Sequence, residues 1–319
     1  MPPITSYTKP LSETQATQLR SILVRQGWEL ESKPHCLYAA SRGKVNVSVY
    51  EKGPKILVQG KETEEFVSLI LEPQVLGQAE LGYEEVLHPE MFQPHIGVDE
   101  SGKGDFFGPL VIAGVYVDTL AARQLREIGA VDSKRITSDA KIEQVAKAIR
   151  SIPGLRFEII QIYPERYNAL YEKFGNLNRL LAWGHAKVIE VLLERVPDCP
   201  RALSDQFANP AVLQRALQTK GKEIELIQRT KAESDPAVAA ASILAREKFV
   251  QWLRETGHQM GIPLPKGVSA QVKDNARQIL QTHGQEGLGR VAKWHFKTTG
   301  EILSTLGAEE TKKKLPLQA

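Results

Sequence analysis

Between His95 and Glu255, short apolar strands alternate with helical stretches, and this alternation restricts the fold more than any other feature of the chain. IGVDE, LVIAGVYV, LRFEIIQIY, RALSDQF and EIELIQRT read as strands. Helical spacing is carried by residues 119–128, by SDAKIEQVAKAIRSI, by Pro164 to Val196 with a break at Gly175, by PAVLQRALQ and by DPAVAAASILAREKFVQWLRE. Strands interleaved with helices of this length predict an α/β domain, helices packed on a mixed sheet. The first 80 residues are organised differently. Ser12 with Gln15 forms a capping-box pattern ahead of Leu19, Ile22 and Leu23, and that helix is expected to stop near Gly27. Four period-two segments follow (WELES, CLYAASRG, KVNVSVYEKG, KILVQGKE), broken at Lys33-Pro34, Arg42-Gly43 and Gly53-Pro54. TEEFVSLILEPQVLG then reads as a helix with Thr63 at its start. The expected layout is a small α+β domain over 1–80, a linker over 81–94 containing Pro89 and Pro94, and a larger α/β domain over 95–319.

Composition sets wide bounds. The 41 basic and 38 acidic residues leave a net charge of +3, which permits a polyanionic partner without requiring one. Cys36 and Cys199 show no metal-ligand spacing and suit a reducing compartment. No apolar run approaches the length of a membrane span, and MPPITSYTKPLSE lacks the pattern of a secretory signal, so a cytoplasmic protein with no membrane partner is expected.

Chemistry concentrates in GVDESGKGDFFGPL, residues 97–110. Asp99 and Glu100 stand at the end of the first apolar strand of the larger domain, just before Gly102-Lys103-Gly104. Carboxylates gather hard divalent cations, and glycines let backbone N–H groups approach a phosphate or sugar. Adjacent strand residues point to opposite faces, so the two acids need a turn to meet, which the glycines are expected to supply. Asp205 ends RALSD, and Asp235 stands where the strand EIELIQRTKAES gives way to a helix. An Asp before Pro236 is also an excellent N-cap, and capping alone is a sufficient reason for it. Ligands in α/β sheets bind where strands end, and that placement raises both acids to candidates. Four converging carboxylates would repel one another unless neutralised, and a pair of magnesium ions about 3.5–4 Å apart would do so. Residues 97–103 also satisfy the first seven positions of a P-loop, G-x-x-x-x-G-K, but Gly104 replaces the Ser or Thr that ligates magnesium. Two acids inside a phosphate cradle would moreover repel the nucleotide, so that reading fails.

With these acids and glycines in place, the chain resembles ribonuclease HIII, a type 2 ribonuclease H. The resemblance rests on GVDESGKGDFFGPL, VDSKRIT (131–137), NLNRLLAWGHAKVIE (176–190), LSDQF (203–207), DPAVAAASILAREKF (235–249) and KWHFKTT (293–299). It implies a ribonuclease H-like mixed β-sheet flanked by helices, with an N-terminal TATA-binding-protein-like α+β domain that binds substrate. It also implies an endonuclease that hydrolyses the RNA strand of RNA–DNA hybrids with two Mg2+ or Mn2+ ions, leaving 5′-phosphate and 3′-hydroxyl ends; no obligate protein partner is expected, and a monomer is the expected form. The catalytic and metal-binding acids carry over to Asp99, Glu100, Asp205 and Asp235. Substrate contacts carry over to Ser101 and to Gly102, Lys103 and Gly104, whose backbone would meet the ribose 2′-hydroxyls, and to Ser133 and Lys134 for phosphate.

The alternatives are a ribonuclease HII-like junction nuclease and a DNA-directed metal nuclease with the same carboxylates. The HII pattern has Gly-Arg-Gly, lacks the N-terminal extension, and carries a junction-reading tyrosine near its C-terminus. Here Lys103 and the extra domain stand instead, and no tyrosine follows Tyr171, so weak incision at single embedded ribonucleotides is expected. His185 reads as a hydrogen-bonded structural histidine, and His295, between Trp294 and Phe296, as a packing residue. Tyr38, Arg42, Lys44, Asn46, Ser48 and Tyr50 are candidates for an open sheet face that tracks a nucleic-acid backbone.

Overall fold

The structure, a computed structural model, describes residues 4–77, 88–130, 133, 136, 138–230 and 232–304. Lys134, residues 81–87 of the expected linker and the Lys312–Lys314 run lie outside the described residues. The chain divides into two compact units, Met1–Met91 and Phe92–Ala319.

The N-terminal unit is a five-stranded antiparallel sheet, one strand more than its sequence suggests. The extra strand, β1 (Ser6–Pro10), pairs with β5 (Lys55–Gly60) at the sheet edge, where a proline lacking its N–H is tolerated. Across the sheet follow β4 (Val45–Tyr50), β3 (Cys36–Arg42) and β2 (Glu29–Glu31). Helix α1 (Glu13–Arg25) opens with the expected capping box, Ser12 and Gln15 each bonding the other's backbone N–H. A second helix, α2, begins over Thr63–Phe66 and widens to a π-helix over Val67–Leu76. Pro73 explains the change: it has no N–H to give the Leu69 carbonyl, and the Gln74 side-chain amide donates there instead, at 3.1 Å. Leu19, Leu23, Val47, Val49, Ile56, Val58, Val67 and Leu71 form this unit's core. Tyr38 belongs to that core as well, its hydroxyl donating to the Ala16 carbonyl at 2.7 Å. It therefore leaves the candidate nucleic-acid face, because it lies opposite Val49 in register while Asn46 and Ser48 lie opposite Ser41 and Ala39.

The larger unit is a mixed five-stranded sheet. At its centre is β6 (His95–Ser101), flanked on one side by parallel β9 (Arg201–Asp205) and then β10 (Glu225–Arg229). On the other side lie antiparallel β7 (Leu110–Val117) and β8 (Arg156–Ile162). Between them run α3 (Thr119–Glu127), α4 (Asp139–Arg150), α5 (Pro164–Phe174), α6 (Leu177–Arg195) and α7 (Pro210–Ala216). The break between α5 and α6 is at Gly175, in the left-handed conformation. Two helices clamp the sheet. Helix α6 covers one face with Leu181, Val188, Ile189 and Leu192. Helix α8 (Pro236–Met260) covers the other through an alanine-rich surface, Ala237, Ala239, Ala240, Ala241 and Ala245 all being buried. That contact is close enough to require glycine: a Cβ on Gly97 would come within 2.3 Å of the Val238 nitrogen. Helix α9 (Ala270–Val291), kinked at Gly284, completes the unit.

Candidate active site

Three of the four candidate acids collect at one end of the central sheet. β6 pairs with β9 only from Ile96 to Val98, so Asp99 and Glu100 project past that pairing, beside the terminal Asp205 of β9. The glycine turn does not bring the first two together, since β6 continues in register with β7 through Ser101. Asp99 instead faces α8, and Glu100 faces α6.

The two carboxyls therefore meet different surroundings. Asp99 accepts from the Glu100 backbone N–H at 2.8 Å and from the Ser242 hydroxyl of α8. Burial, reinforced by the charges of Glu100 and Asp205, pushes its carboxyl up to about 8. Glu100 receives His185 Nε2 at 3.1 Å on one oxygen and Lys103 Nζ at 3.4 Å on the other. Burial opposes its charge, but the hydrogen bonds and charges of His185 and Lys103 outweigh it and hold this carboxyl below its usual range. His185, fully buried on α6, is fixed from its other nitrogen by the Ser204 hydroxyl at 3.0 Å. Asp205 Oδ1 accepts the Ala232 N–H at 3.3 Å, which draws the 3-10 turn Ala232–Ser234 to the same place. Among the described residues, no three His, Cys, Asp or Glu side chains already stand at ligand spacing around one point.

Asp235 is elsewhere. Its Oδ1 accepts from the Ala237 and Val238 N–H groups at 2.9 and 3.2 Å and faces His95 Nε2 at 2.9 Å. His95 begins β6, four residues or about 13 Å of strand away from Asp99. The assignment of Asp235 to the acidic cluster is thus corrected: it is the buried N-cap of α8, the role that its place before Pro236 also suggested. Sequence reasoning misses Glu233, because KAES reads as the end of a strand. β10 in fact stops at Arg229, and Glu233 stands half-buried in the turn that Asp205 holds.

Ser133, a candidate phosphate contact, is buried, with its hydroxyl 2.8 Å from that of Ser242. Ser242 donates its single proton to Asp99, so Ser133 donates to Ser242 and stands behind the acid rather than at the surface. Around the glycine turn, Gly102 has a φ of +88° and would place a Cβ 2.2 Å from the Pro109 carbonyl oxygen, so no other residue fits. Lys103 lies over the Phe207 ring at 5.7 Å, Ser101 is half-buried at the strand end, and Gly104 is exposed with open space beside it.

Comparison with known proteins finds relatives over most of the chain. A family profile described as ribonuclease HII matches residues 96–299. Ribonuclease HIII of Chlamydia muridarum is 44% identical over 303 residues, covering 94% of this chain and 98% of that protein. Ribonuclease HIII of Protochlamydia amoebophila is 41% identical over 292 residues, covering 92% and 95%. The chain belongs to the ribonuclease HIII family. It is accordingly a hydrolase and nuclease of the ribonuclease H class, with the ribonuclease H-like fold. A crystal structure of Bst-RNase HIII in complex with Mn2+ is similar with a TM-score of 0.64 at 27% identity, covering 94% of this chain and 99% of that one. Among the described residues, no helix of this ribonuclease HIII family member is long and apolar enough to cross a membrane.

Proposed function

We propose that the protein cleaves the RNA strand of RNA–DNA hybrids internally with two divalent ions, Mg2+ or Mn2+, leaving a 5′-phosphate and a 3′-hydroxyl. The observation that carries this reading is the meeting of Asp99, Glu100 and Asp205 beside the Gly102-Lys103-Gly104 turn. Glu233 replaces Asp235 as the fourth acid. This donor set fits hard cations, being all oxygen, and the upward shift of the Asp99 carboxyl reflects burial reinforced by the charges of Glu100 and Asp205, which a cation would offset. Magnesium keeps water and substrate phosphate in its shell, so carboxylates that flank a common opening suit it better than a closed cage. When bound, the ions supply water activation on one side and charge neutralisation at the leaving 3′-oxygen on the other. The protein's own groups fix the acids: Ser242 and the Glu100 N–H orient Asp99, His185 and Lys103 orient Glu100, and the Ala232 N–H orients Asp205. The Gly102–Gly104 backbone, with Ser101 before it, faces the ribose 2′-hydroxyls and sets RNA apart from DNA.

The first 80 residues act as a TATA-binding-protein-like substrate-binding domain. Their sheet is covered on one face by α1 and α2, and the other face, with Asn46, Ser48 and Tyr50 on one strand, follows the hybrid backbone. The protein works as a cytoplasmic monomer. Because no tyrosine follows Tyr171, duplexes with a single embedded ribonucleotide are poor substrates. Cleavage of a long RNA–DNA hybrid, an all-DNA duplex and a single-ribonucleotide duplex, each with Mg2+ and with Mn2+, tests the reading. The expected order is hybrid well above single-ribonucleotide duplex, with the DNA spared. Cutting of the all-DNA duplex, or equal rates on the two ribonucleotide substrates, overturns it.

A further inference from the structure

Lys293 is among the largest fully buried side chains, yet the chemistry proposed above does not use it. Its amine donates to the carbonyls of Asp105 at 2.9 Å and Phe107 at 3.3 Å, between the rings of Tyr167 at 5.6 Å and Phe249 at 6.0 Å. A buried lysine is costly where a methionine of similar length would fill the same space without a charge to desolvate. What it holds in exchange is the stretch that directly follows the Gly102-Lys103-Gly104 turn.

Other contacts converge on that stretch. The Lys293 N–H donates to the Phe106 carbonyl at 2.9 Å, and the Gly108 N–H donates to the Val291 carbonyl at 2.9 Å. From a separate segment, the Gly267 N–H donates to Asp105 Oδ1 at 2.6 Å and the Phe106 N–H donates to the Gly267 carbonyl at 3.1 Å. With the amine included, three successive carbonyls, those of Asp105, Phe106 and Phe107, are bound by a single residue from the far end of the domain.

We propose that Lys293 is a positioning residue for ribose recognition: through the Asp105 and Phe107 carbonyls it fixes the position of the Gly102-Lys103-Gly104 turn against the 2′-hydroxyls beside the cut. This rests on the reading of that turn given under the proposed function. The anchoring survives loss of the charge. Burial lowers the Lys293 amine to about 7 against the opposing pull of Asp105, and a neutral amine still has the two N–H donors that two carbonyls need.

The test compares Lys293→Met and Lys293→Gln with the native enzyme for melting temperature, kcat and KM on a long hybrid. It also measures the penalty incurred when the riboses flanking the cut are replaced by 2′-deoxyriboses. Lys293→Met is expected to fold and to raise KM about tenfold, the effect of one hydrogen bond's worth of lost binding, with kcat little changed. Its 2′-deoxy penalty shrinks by a similar factor. Lys293→Gln, which keeps two donors on a shorter arm, falls between. A folded Lys293→Met enzyme with native KM and native penalty overturns the proposal. So does a loss of activity in both variants that only follows their loss of folded protein, since that describes a structural lysine. If the native enzyme shows no 2′-deoxy penalty, the reading of the turn is wrong at its source and the proposal falls with it, whatever Lys293 does.

Discussion

Asp235 caps α8 and faces His95, while Glu233, two residues earlier, is half-buried in the turn that Asp205 holds. One acid serves the fold and the other serves the proposed chemistry, and substitution separates them. Glu233→Gln removes a charge from the proposed cation site while keeping the size of the side chain. Hybrid cleavage is expected to fall by at least about a hundredfold, a few kcal/mol of transition-state stabilisation, with the melting temperature near native. Asp235→Ala deprives α8 of its N-cap and leaves the buried His95 facing an empty position. A loss of about 1–2 kcal/mol from the cap alone is expected, seen as a lower denaturation midpoint, while the folded fraction keeps its kcat. If Asp235→Ala abolished turnover in fully folded protein and Glu233→Gln did not, the two roles would have to be exchanged. A third residue, His295, ties pH to stability. It stacks on Tyr171 at a centroid distance of 4.4 Å, and burial, aided by the Lys293 charge, lowers its ring to about 4 from an ordinary 6.5. Between these values the unfolded chain binds a proton that the folded one refuses, so stability falls as pH drops from 6.5 to 4 and this contribution levels off below that. His295→Phe keeps the stack without the titrating ring. Its melting temperature is expected to decline less than that of the native protein across the same window, and parallel curves would show that His295 does not titrate there.

At the scale of elements, the site depends on how closely α8 lies on β6. Gly97→Ala would set a methyl against the Val238 backbone and lift the helix that carries Ser242, the partner of Asp99. Overpacking of this kind is expected to cost about 1–3 kcal/mol and to lower kcat as well, measured by denaturant unfolding beside steady-state cleavage. Most of this architecture is legible in the sequence. Strand–helix alternation identifies the sheet, and the strand ends locate Asp99, Glu100 and Asp205, because periodicity records which faces are buried. Depth along an element is not recorded in that way. Nothing local in KAESDP says that Asp205 holds the turn carrying Glu233 while Asp235 caps α8 against His95. The edge strand β1 escapes for a related reason, since five polar-leaning residues with one pairing partner carry little apolar alternation. His185 is legible as structural, but its contact with Glu100 depends on α6 crossing β6, a relation between segments 85 residues apart.

For the whole molecule, the charge difference of +3 gives little general attraction to a polyanion, so affinity for a hybrid must come from placed surfaces. The N-terminal unit has its own core and its own helix-covered sheet face, and Met1–Met91 is compact by itself. None of Asp99, Glu100, Asp205 or Glu233 belongs to it. Removing residues 1–91 should therefore raise KM for a long hybrid by about tenfold or more while kcat stays within a few-fold, provided circular dichroism shows the larger unit folded. Introducing negative charge on the proposed face, Asn46→Glu with Tyr50→Glu, should weaken binding in the intact chain in the same direction, and the loss should shrink as salt screens the added repulsion. A KM unchanged by both alterations would assign substrate binding wholly to the larger unit and leave the N-terminal sheet with another task.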